Sequence, residues 1–297
     1  MHLSYYLPVK NFLNSHSQNK TTPNVNTVFK TGLFEGKTAI ITGGGTGIGL
    51  RIAREMAYLG ATVILASRKM ENLLKGVEMI TAEGGKAHAV ECNIRQEESI
   101  KACVAKTIEL TGRIDYLVNN GGGQFPSPAE TISSKGWHAV IETNLTGTFF
   151  MSQEVFNRQF INTGGVIVNI IANMRNGFPI MVHTGAARAG VENITKTLAT
   201  EWGKYGVRVN SVAPGIIGSS GLDKYDPAYR DFIYSFAKNN QTTRLGTEAE
   251  VSSAVVFLLS PAASFITGVT LAVDAGESLF SPVMPPAEND KNPAFEG

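Results

Sequence analysis

The sequence has little cysteine. Two thiols, Cys92 and Cys103, in 297 residues cannot form a disulfide framework, and no CxxC pair or histidine cluster suggests zinc or another metal. The expectation is a reducing, cytoplasmic setting. No run approaches ~18 consecutive apolar residues, so no span of a membrane is expected. Glycine at 31 and proline at 12 are too few for a collagen-like chain, and apolar residues at 43% exclude a disordered one. Excess charge is also missing. With 26 basic against 25 acidic side chains the chain is a poor binder of nucleic acid, which rests on neutralising phosphates.

Acids are absent from residues 1–34, which carry Lys10, Lys20 and Lys30, so the remainder holds 23 basic against 25 acidic side chains. This opening lacks the apolar stretch of a secretory signal. It is Ser-rich like a transit peptide but has no arginine. It reads as an N-terminal arm, poorly ordered or an oligomer contact. The chain ends Phe295-Glu296-Gly297, which is not the peroxisomal tripeptide signal.

What is present is an alternation of strand and helix signals. Length alone allows two domains, though one α/β sheet can take about 250 residues. Strands are expected at 38–42, 62–67, 87–92, 115–119, 166–171, 208–213 and 270–273. Helices are expected at 48–58, 71–83, around Ile100–Ile108, at 185–202 and at 248–259. Strands apolar throughout, separated by helices, imply a doubly wound parallel sheet of Rossmann type with helices on both faces. One domain over 35–280 follows. An insertion at 218–246 holds Tyr225, Tyr229, Phe232, Tyr234 and Phe236 with Lys224, Arg230, Lys238 and Arg244. After a late strand, such an insertion lies at the ligand end of the sheet and reads as a substrate lid. Residues 281–297, with four of the twelve prolines, read as a tail.

The first strand runs into Gly43-Gly44-Gly45-Thr46-Gly47-Ile48-Gly49. A tight turn without Cβ atoms lets backbone N–H groups and a helix N-terminus face a pyrophosphate. The spacing is G-x-x-x-G-x-G, and its place at the first strand–helix junction points to a dinucleotide. At the end of the second strand, where an NAD site carries an acid for the ribose, stand Ala66-Ser67-Arg68-Lys69. The missing acid and the added cations point to a 2′-phosphate, hence NADPH.

These motifs resemble the short-chain dehydrogenase/reductase family over about residues 34–280. The resemblance extends to Cys92-Asn93-Ile94, which borders the adenine in that family. It includes Asn119-Asn120-Gly121-Gly122, where the family has Asn-Asn-Ala-Gly, and Asn144 within Thr143–Gly147. It also includes Pro214-Gly215-Ile216-Ile217, whose counterpart borders the nicotinamide. Within the family the chain looks most like peroxisomal trans-2-enoyl-CoA reductases and next like 2,4-dienoyl-CoA reductases. The segments that carry this likeness are Asn119–Phe125, Ser133–His138 and His183–Gly190. The resemblance implies NADPH, an acyl-CoA substrate and a homotetramer built partly through the long helices.

Most of the family uses Ser, Tyr and Lys, with Tyr and Lys four apart. Here the matching positions are about Ala172, Thr184 and Arg188, and an alternative slot ending at Lys196 begins with Glu192. Neither Ala nor Thr is an acid near neutral pH, and arginine cannot pass on its proton. Carbonyl reduction needs such an acid, so an alcohol dehydrogenase or 3-ketoacyl reductase is disfavoured. Conjugate reduction instead places charge in a thioester enolate, which hydrogen-bond donors stabilise. The vacancy equally suits an NADPH-binding module without turnover. The candidate set is Gln124, Asn144 and Arg188. Gln124 matches the Asn that binds the thioester in dienoyl-CoA reductases, or is a loop amide bonded to local backbone. Arg188 would bond the nicotinamide ribose. His183 could deliver a proton or be structural. The basic side chains of the insertion could meet coenzyme A phosphates or form a solvated face.

Overall fold

The computed structural model describes residues 25–219, 226–281 and 283–297. Lys224, Tyr225, the side chain of Tyr229 and most of the N-terminal arm lie outside the described residues.

The elements run β1 (Thr38–Thr42), α1 (Gly47–Tyr58), β2 (Thr62–Ser67), α2 (Met70–Ala82), β3 (Lys86–Glu91), α3 (Glu97–Thr111) and β4 (Tyr116–Asn119). Then come α4 (Ser134–Ile141), α5 (Gly147–Val155), α6 (Ile161–Thr163), β5 (Gly165–Ile170), α7 (Val182–Trp202) and β6 (Val207–Pro214). The chain continues through β7 (Ile217–Gly218), α8 (Pro227–Ser235), β8 (Gly246–Thr247), α9 (Glu248–Leu259) and β9 (Thr270–Val273).

Seven strands form one parallel sheet in the order β3-β2-β1-β4-β5-β6-β9. Successive residues of a strand face opposite sides, so Ala39 and Ile41 meet one helical layer and Ile40 the other. The first layer is α1, α2 and α9, packed through Ile52, Met56, Leu73, Val251 and Val255. The second is α3, α5 and α7, packed through Val104, Met151, Val155, Leu198 and Trp202. Each fully buried aliphatic side chain contributes about 1.5–3 kcal/mol. This is the Rossmann-type sheet expected from the all-apolar strands.

The strand order reverses between β1 and β4. Ligands of such sheets bind in the crevice at the carboxyl ends of the strands at that reversal. The ends of β1 and β4 are joined there: Thr42 Oγ1 accepts from the N–H groups of Asn120 (3.0 Å) and Gly121 (2.8 Å). Beneath the crevice runs a buried row of polar side chains. Asn119 donates to Ser152 Oγ (2.8 Å) and to Asn169 Oδ1 (2.9 Å). Asn169 donates to Thr195 Oγ1 (2.9 Å), which shares a hydrogen bond with Ser211 Oγ (2.7 Å). Only Asn119 Oδ1 in this row has no partner among the described residues.

The structure departs from the sequence reading in three places. The stretch from Ser134 to Thr163 is helical, and the sequence reading assigned no element to it. Two π-helical turns, Glu142–Thr146 and Phe156–Phe160, interrupt it, and the extra residue in each dephases the apolar stripe. Helix α7 starts at Val182, three residues before the expected start, so His183 and Thr184 are helical. The insertion contains α8, and its ends are clipped together where β7 pairs with β8.

Residues 25–34 lie on α1: Val25 and Phe34 are buried, and Thr27 Oγ1 donates to the buried Glu55 carboxylate at 2.7 Å. The C-terminal segment crosses the foot of the insertion. The Arg244 guanidinium bonds the carbonyls of Asn292 (3.1 Å) and Pro293 (3.3 Å) as well as the Glu250 carboxylate. Among the described residues no helix is long and apolar enough to cross a membrane.

Candidate active site

The glycine-rich turn leaves β1 through Gly43 and enters α1 at Gly47, both with positive φ (65° and 60°). Only glycine adopts these angles without strain. Thr46 stands at the N-cap of α1 in extended conformation, yet its side chain makes no capping hydrogen bond, and the first turn contains no acid. The first N–H groups of α1 therefore have no side-chain acceptor, which is the condition for holding a phosphate. A Cβ on Gly49 would run into the Asn120 amide and the Gly43 carbonyl. Asn120 Nδ2 donates to the carbonyls of Thr42 (3.0 Å) and Gly43 (3.4 Å), so it braces the loop from the β4 side.

Ile48 opens α1 beside that turn. Arg68 and Lys69 follow β2, both exposed and neither ion-paired among the described residues. No carboxylate stands at this strand end to take ribose hydroxyls. Asn93 N–H donates to Ser99 Oγ (2.9 Å), and Ile94 packs against Gly121 and Gly147. Pro214, Gly215 and Ile217 follow at the end of β6, held by Asn173 N–H to Pro214 O (2.9 Å) and Gly215 N–H to Val273 O (3.0 Å). All these positions lie at or just beyond the carboxyl ends of strands of the one parallel sheet. An uncapped helix start, a turn that excludes Cβ atoms and two exposed cations without an ion-pair partner among the described residues fit a dinucleotide with an additional phosphate.

Asn144, Arg188 and the loop Gly122–Gln124 come together. Asn144 is fully buried in the first π-turn. Its Nδ2 donates to Gly123 O (2.7 Å) and Val140 O (3.0 Å), and its Oδ1 accepts from Gly123 N–H (3.2 Å). Its amide is thus committed to the protein's own backbone. A Cβ on Gly122 would lie 2.5 Å from an Arg188 terminal nitrogen and 2.6 Å from Asn144 Oδ1. The loop therefore passes directly over the guanidinium.

Arg188 is 8% exposed. One terminal nitrogen donates to Ile170 O at 2.8 Å, and among the described residues it has no carboxylate partner. Burial lowers its pKa to about 10, so it is still a cation at neutral pH. An uncompensated buried cation is costly. Gln124 is exposed and its amide bonds no described residue, so the local-backbone role is not what it adopts.

Thr184 is buried one turn before Arg188. His183, also buried, accepts the Thr184 N–H on Nδ1 (2.9 Å), which places the proton of the neutral ring on Nε2. That Nε2 has no partner among the described residues, and the ring meets Phe125 edge to face at 4.6 Å. In the insertion, Phe232 packs edge to face on Phe236, and Tyr234 is exposed. Arg244 is engaged by Glu250 and the C-terminal carbonyls, which takes it out of the cations open to a polyanion. Glu277, which sequence reasoning missed, stands behind Gly215, where a Cβ would lie 2.5 Å from its Oε2; no spacing signal links the two, because they follow different strands. No group of His, Cys, Asp and Glu among the described residues could hold a metal.

Comparison with known proteins agrees with this geometry. Residues 43–278 match the family model described as enoyl-(acyl carrier protein) reductase. The chain belongs to the short-chain dehydrogenase/reductase family and is an oxidoreductase of that class. It is 37% identical over 257 residues to a peroxisomal 2,4-dienoyl-CoA reductase of Danio rerio, covering 86% of this chain and 85% of that protein. It is 38% identical over 254 residues to a probable 2,4-dienoyl-CoA reductase of Bacillus subtilis, covering 83% and 98%. Among solved structures, a citronellol catabolism dehydrogenase of Pseudomonas aeruginosa is 46% identical with a TM-score of 0.77, covering 85% of this chain and 99% of that one.

Proposed function

We propose that the protein is an NADPH-dependent reductase of the 2,3-double bond of trans-2-enoyl-CoA thioesters. The observation that carries the reading is the pairing of a vacated acid position, Thr184, with a buried guanidinium, Arg188, that has no carboxylate. Such a site can hold negative charge but has no acid at the usual tyrosine place. NADPH, held by the glycine turn with Arg68 and Lys69 on its 2′-phosphate, supplies the hydride. Arg188 holds the nicotinamide ribose. Gln124 donates from its free amide to the thioester oxygen, where charge collects as the β-carbon is reduced. Asn144 keeps the Gly122–Gln124 loop in place through its two bonds to Gly123. The α-carbon takes its proton from water.

A second reading, reduction of a 2,4-dienoyl-CoA, is favoured by the names of the relatives above. The fold organisation that goes with either is one reductase domain over 35–280, a lid at 218–246, and a homotetramer packed through the long helices. Purified protein is mixed with NADPH and either trans-2-decenoyl-CoA or 2,4-decadienoyl-CoA, and the absorbance of the reduced cofactor is followed. Faster consumption with the enoyl substrate supports the first reading, and faster consumption with the dienoyl substrate the second. Tight NADPH binding with no consumption on either identifies a binding module. Light scattering reads the oligomeric state.

A further inference from the structure

The loop that carries Gln124 is pinned on both sides. Asn144 holds Gly123 through two hydrogen bonds, and Ser127 N–H donates to Ile180 O at 2.7 Å. Ile180 has φ 57°, which strains a β-branched residue and persists only where the surroundings impose it. Between the pins, the Phe125 ring lies on His183 (centroids 4.6 Å apart, planes at 84°). It also lies on the start of α4, where a Cβ on Gly136 would be 2.9 Å from Phe125 Cζ. Phe125 is itself 38% exposed, so its outer side is open to an acyl group.

His183 is fully buried, yet its Nε2 has no partner among the described residues. Nδ1 accepts the Thr184 N–H at 2.9 Å, so the ring carries its proton on Nε2, on the edge turned away from that N–H. The Phe125 ring offers at best a weak acceptor. A buried donor without an acceptor is rare and costly. This one stands one residue before the vacated acid position, Thr184. Phe125 also links it to Gln124, whose amide is the other donor here without a described partner. Two such donors, one on each side of a single aromatic residue, are the elements of an oxyanion site.

We propose that His183 is a catalytic residue: its Nε2–H donates a hydrogen bond to the thioester oxygen, together with Gln124, once the acyl group has displaced the Phe125 ring. This rests on the reaction proposed above. As the β-carbon gains hydride, the π pair of the double bond moves between the α-carbon and the carbonyl carbon. The carbonyl π pair moves onto oxygen, and the ring stabilises that charge. When the pair returns, the α-carbon takes its proton from water. His183 keeps its own proton, because giving it up would leave an imidazole anion. A neutral imidazole near a helix start is an established way to polarise a carbonyl.

The test uses whichever of trans-2-decenoyl-CoA and 2,4-decadienoyl-CoA the wild type reduces faster. His183→Met fills the space without a donor. Its kcat/KM is expected to fall about a hundredfold, the size of one lost oxyanion donor, with the NADPH dissociation constant unchanged. His183→Gln returns an N–H at similar reach and is expected to recover most of that loss. The infrared carbonyl stretch of the thioester, bound together with NADP+, is expected at lower wavenumber in the wild type than in His183→Met. Wild-type kcat/KM in His183→Met, or equal losses in the two variants with an unmoved stretch, overturns the proposal. If His183→Met does not fold, Gln124→Ala decides, because His183 is then the donor that remains. A stretch there equal to that of the free thioester in an apolar solvent overturns the proposal. Wild-type protein that reduces neither thioester overturns the proposed reaction and this inference together. An active wild type with an indifferent His183→Met overturns this inference alone.

Discussion

Asn144 and Gly123 hold each other by two hydrogen bonds, one in each direction, at 2.7 and 3.2 Å. The pair fixes a loop whose next residue is Gln124 and whose previous residue touches Arg188. Asn144→Ala would orphan both polar groups of Gly123 and the Val140 carbonyl. A loss of about 1–3 kcal/mol is expected, read as a lowered denaturant midpoint, together with a fall in kcat/KM. Asn144→Asp keeps the acceptor and sets a carboxylate beside the guanidinium. It is expected to cost turnover out of proportion to stability, and equal losses in both would contradict this.

Arg188→Met gives the opposite sign for folding and for activity. Removing a buried cation without a partner relieves a desolvation cost, and an apolar side chain fills the space. The apoprotein is expected to melt at higher temperature, by about 1 kcal/mol of added stability, with turnover lost. A destabilised variant would mean that the bond to the Ile170 carbonyl outweighs the burial of the charge.

Arg68→Asp tests the cofactor choice. Replacing the cation by an acid repels the 2′-phosphate and restores a ribose acceptor. The ratio of kcat/KM for NADPH over NADH is expected to fall by about ten- to a hundredfold. An unchanged ratio would assign phosphate recognition elsewhere.

Cys92 and Cys103 are both buried free thiols, near enough for each to shift the other's titration. The Cys92 thiol is held below its ordinary pKa by Cys103, while Cys92 and burial push Cys103 up. An aromatic disulfide reagent is expected to find almost no thiol in the native protein and two per chain in denaturant. Mass spectrometry of early adducts is expected to show Cys92 first.

The legibility of the chain followed the strength of its local signals. Strands buried on both faces are apolar without interruption, and β1, β2 and β9 have the bounds expected of them. Helix α9 also has the bounds expected of it, and in the structure Thr247 and Glu250 hold its start in a reciprocal capping box. The helices after β4 were hidden because the π-turns shift their apolar residues out of phase. The positions proposed to hold the cofactor come from motif. What motif could not tell was which side chains have partners. Asn144 proved committed to backbone, Gln124 uncommitted and Arg188 uncompensated.

The row Ser152, Asn119, Asn169, Thr195 and Ser211 crosses three strands beneath the crevice. Enlarging any member, or making it apolar, strands a neighbour's donor or acceptor in the interior. The floor under the crevice therefore tolerates almost no neutral drift. Changes in what the crevice accepts must be written elsewhere, as in the 122–125 loop. Libraries meant to alter substrate preference belong there, and the same libraries aimed at the floor would return mostly unfolded protein.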